Sequence, residues 1–353
     1  MDTAHVRLAR HLDTLPVPYP ATESGVEVKI LERWFTEREA EIALAMTGIP
    51  DTAASIAERL SMNPEELAPV LEAMSKKGAI FRIVKGEKRL YNLVPLAAGM
   101  WEFHINSNTL DDIKAMQSYL EVFMPKAWYG TPTSQHRIIP ISESVSDDVE
   151  ILTYERAEEI IRSQKRISVA PCICRTEAKM LGRGCEHPLE VCMAFGVGAS
   201  YYIDNGIGRE ISQAEAIDIL KSAMDSGLVL QPGNGQKVWG MCMCCGCCCN
   251  LLRALKKMDR PAATAHTNYY ASVYAGDCTA CGLCEEKCPM QAIQVADAVA
   301  VVDRNRCIGC GVCVGQCSFD AVKLFKKDAS ELYIPPKDVI EMQMRVAKER
   351  GLF

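Results

Sequence analysis

The chain has 353 residues, which is enough for two or three domains, and its 48% hydrophobic content is ordinary for a globular protein. A net charge of −6 argues against a general attraction to nucleic acid or anionic membranes and mildly favours basic partners. The N-terminus lacks the basic and then apolar pattern of a signal peptide, and no apolar stretch approaches the ~18 residues of a membrane span. We therefore expect a cytoplasmic protein that does not span a membrane.

Residues 1–130 carry the signals of a helix-rich domain that ends in a hairpin. Thr36 and Glu39 have the spacing of a capping box, and Asn63 before Pro64 is typical of a helix start. The predicted elements are helices over 40–47, 52–60, 64–77 and 111–123, and hairpin strands over 79–84 and 88–93. The order of elements over roughly residues 25–97 resembles the winged helix-turn-helix domain.

That resemblance implies DNA binding as one function, and the charge of the third helix argues against it. This helix begins Pro64-Glu65-Glu66 and later carries Glu72, so it is acidic where phosphate and base contacts are expected. The basic residues cluster near the hairpin, at Lys76, Lys77, Lys85, Lys88 and Arg89. We favour a structural or partner-docking role for this domain and do not expect nucleic acid as a partner.

The rest of the chain predicts a mixed α+β fold. We expect helices over 153–164, 212–226 and 251–258 and a helical tail after Pro336, and the composition of 131–136 and 142–148 is typical of linkers. The expected domains are a winged-helix-like part at 1–130, a cysteine-rich domain at 131–265, a ferredoxin domain at 266–330 and a tail at 331–353.

Cysteine usage is the most unusual property of the chain. It has 18 cysteines, all between Cys172 and Cys317. In a chain without an export signal, such clustering favours metal ligation over disulfides, and many soft thiolate ligands favour iron–sulfur chemistry over isolated zinc sites.

Eight of these cysteines form two motifs offset by 29 residues. Both follow the C-x2-C-x2-C-x3-C spacing: Cys278, Cys281, Cys284 and Cys288, and then Cys307, Cys310, Cys313 and Cys317. The segment, roughly 270–325, resembles the bacterial 2[4Fe–4S] ferredoxins. That resemblance implies two [4Fe–4S] clusters, one held by Cys278, Cys281, Cys284 and Cys317 and the other by Cys307, Cys310, Cys313 and Cys288.

The resemblance also implies local structure around the motifs. We expect each fourth cysteine to start a short helix that is followed by a β-rich run, at 290–295 and 319–324. Gly282, Gly309 and Gly311 suit a close approach of the backbone to cluster sulfurs. Ser318 stands where the family usually has proline, as Pro289 does in the first motif.

Ten further cysteines lie upstream and could hold additional metal. They are Cys172, Cys174, Cys185, Cys192, Cys242, Cys244, Cys245, Cys247, Cys248 and Cys249. On an extended chain Cys242 and Cys244, with Cys247 as a further candidate, would share one side, and Cys245 and Cys248 would approach another centre. We expect at least one additional iron–sulfur cluster, with only a subset of the ten as ligands.

Two other interpretations of this field stay open. Some of the ten could be packed, inert thiols, and a noncubane or site-differentiated cluster would make the region an active site. His187, beside Pro188, is interpreted as a loop residue, and residues 196–208 contain no dinucleotide-binding motif.

The leading functional prediction is an iron–sulfur electron-transfer protein that serves a low-potential oxidoreductase through a redox partner protein. The arrangement is similar to ferredoxin-domain proteins of anaerobic bacteria. The alternatives are an iron–sulfur reductase with its active site in residues 172–249 and a redox-sensing regulator that uses the winged helix. The sequence leaves the oligomeric state open.

Overall fold

A computed structural model describes residues 2–141 and 151–353, so the linker composition predicted at 142–148 lies outside the described residues. The chain forms two compact units. The N-terminal unit comprises Met1–Thr133, Val197–Arg209 and Gln343–Phe353, and the cysteine unit comprises Ser134–Gly196 and Glu210–Met342. Among the described residues, no helix has both the length and the apolar character that a membrane span requires.

The described residues contain α-helices in both units. They are Ala4–Asp13 (α1), Val26–Trp34 (α2), Glu37–Ala43 (α3), Ala53–Leu60 (α4), Pro64–Lys76 (α5), Trp101–Phe103 (α6), Leu110–Phe123 (α7), Ala157–Arg162 (α8), Ile173–Met180 (α9), Val197–Asp204 (α10), Gln213–Asp225 (α11), Asn250–Lys256 (α12), Pro261–Thr264 (α13), Leu283–Lys287 (α14), Val312–Gly315 (α15) and Val339–Glu349 (α16).

The strands form one large sheet and three small ones. They are Asp51–Thr52 (β1), Phe81–Lys85 (β2), Lys88–Asn92 (β3), Ile167–Pro171 (β4), Glu190–Phe195 (β5), Arg209–Ile211 (β6), Val229–Pro232 (β7), Gly240–Cys244 (β8), Tyr269–Val273 (β9), Ile293–Ala296 (β10), Val299–Val302 (β11) and Val322–Lys326 (β12).

In the N-terminal unit, the predicted capping signals start the predicted helices. The Thr36 hydroxyl accepts a hydrogen bond from the Glu39 amide, and the Glu39 carboxylate accepts one from the Thr36 amide, so α3 begins at Glu37 instead of Ala40. The Asn63 side chain caps α5 by accepting from the Glu65 amide at 2.9 Å. The hairpin β2–β3 is present, and β1 pairs with β3 to complete a three-stranded sheet.

The cysteine unit is built on a five-stranded sheet with the order β6-β4-β5-β8-β7. Strands β4, β5, β8 and β7 pair antiparallel, with Ala170 opposite Cys192 and Gln231 opposite Cys242. Met241 and Met243 are buried on one face of β8, and the period of two therefore directs Cys242 and Cys244 to the other face. The sheet thus gathers cysteines from β5 and β8 on one face.

Two sequence predictions are wrong in this unit. Residues 134–136 are buried instead of linker-like, because the chain runs beside β7, where the Ile139 amide donates to the Leu230 carbonyl at 3.2 Å. The single helix predicted over 153–164 is a 3₁₀ turn at Thr153–Glu155 followed by α8. The turn is separate because the buried Glu155 carboxylate accepts hydrogen bonds from Asn268 and Tyr269.

The short helices of the ferredoxin segment precede each fourth cysteine instead of following it. Cys288 ends α14 with extended backbone, because a residue before proline is driven out of the helical region. Turns then follow, in which the Gln291 amide donates to the Cys288 carbonyl and the Asp320 amide to that of Cys317. The β-rich runs are present as β10 and β12, and β12 pairs with β9.

Candidate metal centres

The ferredoxin segment contains two cavities, each with an empty volume of about 330 Å³. The first, cavity I, is lined by Cys278, Cys281, Cys284 and Cys317. The second, cavity II, is lined by Cys288, Cys307, Cys310 and Cys313. Each motif therefore supplies three cysteines to one cavity and its fourth to the other, which is the arrangement that the ferredoxin resemblance implies.

Backbone amides point at several of these sulfur atoms. The amide of Ala271 donates to Cys307 Sγ at 3.3 Å, that of Ala292 to Cys288 Sγ at 3.2 Å and that of Ala300 to Cys278 Sγ at 3.4 Å. Amide donors stabilise thiolates and tune the potential of a metal bound to them. Strands β9 and β11 thus position ligands as well as closing the module.

The chemistry of cavity II fits a metal cluster. Burial is the main cause that raises the pKa of Cys307, Cys310 and Cys313, so without metal these thiols are neutral. Binding of a metal releases the protons and compensates the buried negative charge. With Cys288 these three residues supply the four thiolate donors of a [4Fe–4S] cluster, and a cluster held there would store and release electrons.

The 29-residue repeat is visible in the backbone. Ala280 and Gly309 both have positive φ, at 54° and 63°, and Gln291 and Asp320 repeat this at 53° and 55°. A Cβ on Gly309 would lie 2.1 Å from the carbonyl oxygen of Tyr269, so no side chain fits there. Alanine occupies the equivalent position of the first motif, so this close approach to the Tyr269 carbonyl is specific to the second motif, and the approach to cluster sulfurs expected of Gly309 stays a prediction.

Six of the upstream cysteines form a second group, which we call the hexathiol set. Its members lie on β5 and β8 and at the N-terminal ends of α9 and α12, where Cys172 and Cys249 are the N-cap residues: Cys172, Cys174, Cys192, Cys242, Cys244 and Cys249. Their thiols interact in sequence, Cys192 with Cys242, Cys242 with Cys244, Cys244 with Cys249, Cys249 with Cys174, and Cys174 with Cys172.

Contacts with neighbouring thiols and burial set the protonation of this set. The interaction with Cys174, followed by burial, raises the pKa of Cys172 well above its usual value, and Cys192 with burial does the same for Cys242. His136 and Gln231 also face the set, with His136 Nε2 3.9 Å from Cys242 Sγ and Gln231 Nε2 3.8 Å from Cys249 Sγ. Neutral thiols packed together in this way are preorganised for a thiolate-binding metal centre.

The other four upstream cysteines form a separate, compact group, the tetrathiol set: Cys185, Cys245, Cys247 and Cys248. Their sulfur atoms all lie within 4.8 Å of one another. Cys245 and Cys248 therefore lie in one compact group, and Cys247 lies with them, although the sequence made it a further candidate for the side of Cys242 and Cys244. The period-two argument fails after Cys244 because the strand ends there and the chain turns at residues 246–248.

Arg175 lies beside both groups, and sequence reasoning did not find it. Its guanidinium is buried and donates to the carbonyl oxygens of Pro188 and Met243, each at 2.8 Å. Burial raises the pKa of Cys245, but the positive charge of Arg175 and hydrogen bonds from the Cys248 amide, the Cys247 thiol and Arg175 together outweigh burial, so that the pKa of Cys245 is lowered. The position of Arg175 directly after Cys174 was a signal in the sequence that could have identified it. His136 and Gln231 had no such signal, because neither lies next to a cysteine in the sequence.

The tetrathiol turn packs against the ferredoxin segment. A Cβ added to Gly246 would lie 2.9 Å from both the Cα and the Cβ of Pro289, the residue after Cys288. Pro289 itself lines cavity II. His187 lies in a loop, as predicted, and is not a member of the compact set.

Comparison with protein families matches residues 277–331 to the 4Fe-4S dicluster domain. This segment contains all eight cysteines of the two cavities. Comparisons with curated proteins and with solved structures gave no match. The family match thus supports iron–sulfur binding in the C-terminal part, and the upstream groups rest on their own geometry.

Proposed function

We propose that the chain is an iron–sulfur electron-transfer protein that connects a redox partner protein, such as a low-potential oxidoreductase, to a cluster in the upstream cysteines. The observation that carries the proposal is the pair of cavities I and II, each lined by four cysteines in the crosswise pattern. Two centres in one small module are suited to passing electrons through it.

Contacts inside the cysteine unit support a connection from the module to the upstream cysteines. The Gly246 turn lies against Pro289 in the wall of cavity II. Arg306 fixes the end of α12 to the same wall, because its guanidinium donates to the carbonyl oxygens of Lys256 and Met290 at 2.9 and 3.0 Å. Both the tetrathiol turn and the helix that begins after Cys249 are thereby held close to cavity II.

The N-terminal unit is proposed to be a winged-helix-like docking domain. Its helices α2 to α5 and its hairpin have the order that a winged helix requires, and Glu72 of α5 is paired within the unit. Glu72 forms ion pairs with the buried Arg82 and with Arg89 and accepts a hydrogen bond from Tyr91. Glu65 and Glu66 are exposed at the start of α5, where they would repel the DNA backbone, so a protein partner fits better.

A second candidate is a reductase whose active site is the hexathiol set. The observation that favours it is the number of thiols, since six exceed the four that a cubane uses, and His136 adds a nitrogen 3.9 Å from Cys242. In that case, a small substrate added to the reduced protein would change the spectrum of the upstream centre alone. An electron relay would leave that spectrum unchanged.

The test of the relay is a count of iron and acid-labile sulfide in the full chain purified without oxygen, followed by EPR-monitored redox titration. We expect more than the ~8 iron atoms of two cubanes, and an upstream signal that is reduced through the module. In the variant Cys310→Ala, reduction of the upstream signal by a low-potential donor protein should slow at least tenfold. Iron limited to ~8 atoms, or an unchanged rate in the variant, would overturn the relay.

A further inference from the structure

The tetrathiol set differs from the other cysteines in the spacing of its sulfur atoms. Cys248 Sγ lies 3.5 Å from Cys185 Sγ and 3.8 Å from Cys247 Sγ, and Cys185 Sγ lies 3.9 Å from Cys245 Sγ. Among residues 2–141 and 151–353, no other group of three or more potential ligands has all its ligand atoms within 4.8 Å of one another. The four sulfurs are thus held closer together than the four that line cavity I or cavity II.

The local chain explains why these four residues meet. Cys245 follows the end of β8, and the turn at residues 246–248 closes with a hydrogen bond of 3.2 Å from the Cys249 amide to the Cys245 carbonyl. Three cysteines of this turn therefore face one point. The fourth, Cys185, comes from the loop between α9 and β5, which Arg175 fixes through its hydrogen bond to Pro188.

The distances identify the class of ligand. Metal–sulfur bonds of about 2.3 Å in a tetrahedron place the sulfurs about 3.8 Å apart, and the three distances above bracket that value. A cubane places a separate iron atom behind each thiolate, so its four cysteine sulfurs are held farther apart. We propose that Cys185, Cys245, Cys247 and Cys248 bind a single tetrahedral metal ion, zinc or ferrous iron, and not an iron–sulfur cluster.

The surrounding charge fits this occupant. Four thiolates around one divalent cation leave an excess of two negative charges, which need compensation where the site is buried. Arg175 supplies one positive charge in contact with Cys245, which compensates half of that excess. Cys245 and Cys248 are buried and Cys247 is exposed, so the ion would lie just below the surface.

This site is independent of the proposed electron transfer. With zinc it would be a structural clamp that holds the Gly246 turn against Pro289. With iron it would also be able to change oxidation state beside cavity II. Both metals use the same thiolate geometry, and the measurement below separates them.

The test uses the full chain purified without oxygen, with metal analysis and X-ray absorption at the zinc and iron edges. For zinc we expect about one ion per chain with four sulfur neighbours at ~2.3 Å and no metal neighbour. If zinc is absent, iron-57 Mössbauer spectroscopy should show one high-spin tetrathiolate iron per chain. Absence of both signals, or a Cys185–Cys248 disulfide in the protein as isolated, would overturn the proposal.

The variant Cys185→Ala gives a second measurement. It should lose that one metal ion while acid-labile sulfide stays at the wild-type level, because a mononuclear site contains no sulfide. The matched control Cys192→Ala removes a member of the hexathiol set and should keep the ion. Loss of sulfide together with iron in a Cys185→Ala variant that keeps the EPR signals of cavities I and II would show that the residue belongs to a cluster.

Discussion

The cysteine unit contains two kinds of four-cysteine group that differ in how far apart the chain holds the sulfurs. In cavities I and II, four cysteines line each cavity, but neither set has all its sulfur atoms within 4.8 Å of one another. In the tetrathiol set, one turn and one loop hold the sulfurs within 4.8 Å of one another. Ligand type and number are the same in both, so the backbone that carries the ligands decides which metal centre fits.

The largest expected effect comes from removing the crossed ligand of one cavity. In Cys288→Ala we expect the loss of the centre in cavity II, with about four fewer iron atoms, because the residue reaches that cavity from the other motif. EPR of the reduced protein identifies which signal disappears.

Two single substitutions calibrate that result. The signal lost in Cys288→Ala should be the one lost in Cys310→Ala and should persist in Cys281→Ala, which lies in cavity I. If Cys288→Ala instead removed the signal that Cys281→Ala removes, the crosswise assignment would be wrong and each motif would hold its own cluster.

The second effect concerns Arg175, the buried arginine that lies beside the hexathiol and tetrathiol sets. Arg175→Met removes a buried positive charge next to Cys245 and two hydrogen bonds to carbonyl oxygens, and we expect it to lower the free energy of unfolding by about 3–5 kcal/mol. The apparent midpoint of urea unfolding, measured without oxygen, tests this. As a control, Lys179 is exposed on the same helix, and Lys179→Met should change the free energy of unfolding by less than about 0.5 kcal/mol. Equal effects of the two variants would show that the charge and hydrogen bonds of Arg175 do not stabilise the site.

The third effect tests the contact between the two regions. Gly246→Ala places a methyl group 2.9 Å from Pro289, and overpacking of this kind costs about 1–3 kcal/mol. Gly276→Ala, with no atom within 4 Å of the added methyl, is the matched control and should be neutral or slightly stabilising. Comparable melting temperatures for both variants would mean that the Gly246 turn moves away from Pro289 without a loss of stability.

The contrast between the regions also explains what the sequence could predict. The motif spacing carried the resemblance to the 2[4Fe–4S] ferredoxins, and that resemblance implied the two sets of four cysteines that line cavities I and II. The upstream cysteines carry no such repeat. Cys185 meets Cys248 through a loop 63 residues away, and only the pairing of β5 with β8 brings Cys192 to Cys242.

Predictions from short sequence signals were right where the structure depends only on neighbouring residues, as it does at helix caps. The capping signals at Thr36 and Asn63 located two helix starts, since a cap involves only the residues that follow it. In the first motif, the predicted helix after the fourth cysteine was wrong because Pro289 drives Cys288 into extended backbone, so that the short helix ends before it. The buried course of residues 134–136 depends on β7, which is distant in sequence, so composition alone suggested a linker.

The smallest expected effect compares the two halves of the ferredoxin repeat. The turns after Cys288 and Cys317 share a hydrogen bond from the third residue back to the cysteine carbonyl and a positive φ at that residue. Proline at position 318 should therefore fit as it does at 289, and Ser318→Pro should stabilise the protein by about 0.4–1 kcal/mol, because it restricts the unfolded chain. The converse change Pro289→Ser should lower the free energy of unfolding by a similar amount, which a lower melting temperature would report. If Ser318→Pro were destabilising, the two halves would differ in backbone conformation at this turn. Cavities I and II would then be alike in their four cysteines but not in the turns that follow Cys288 and Cys317.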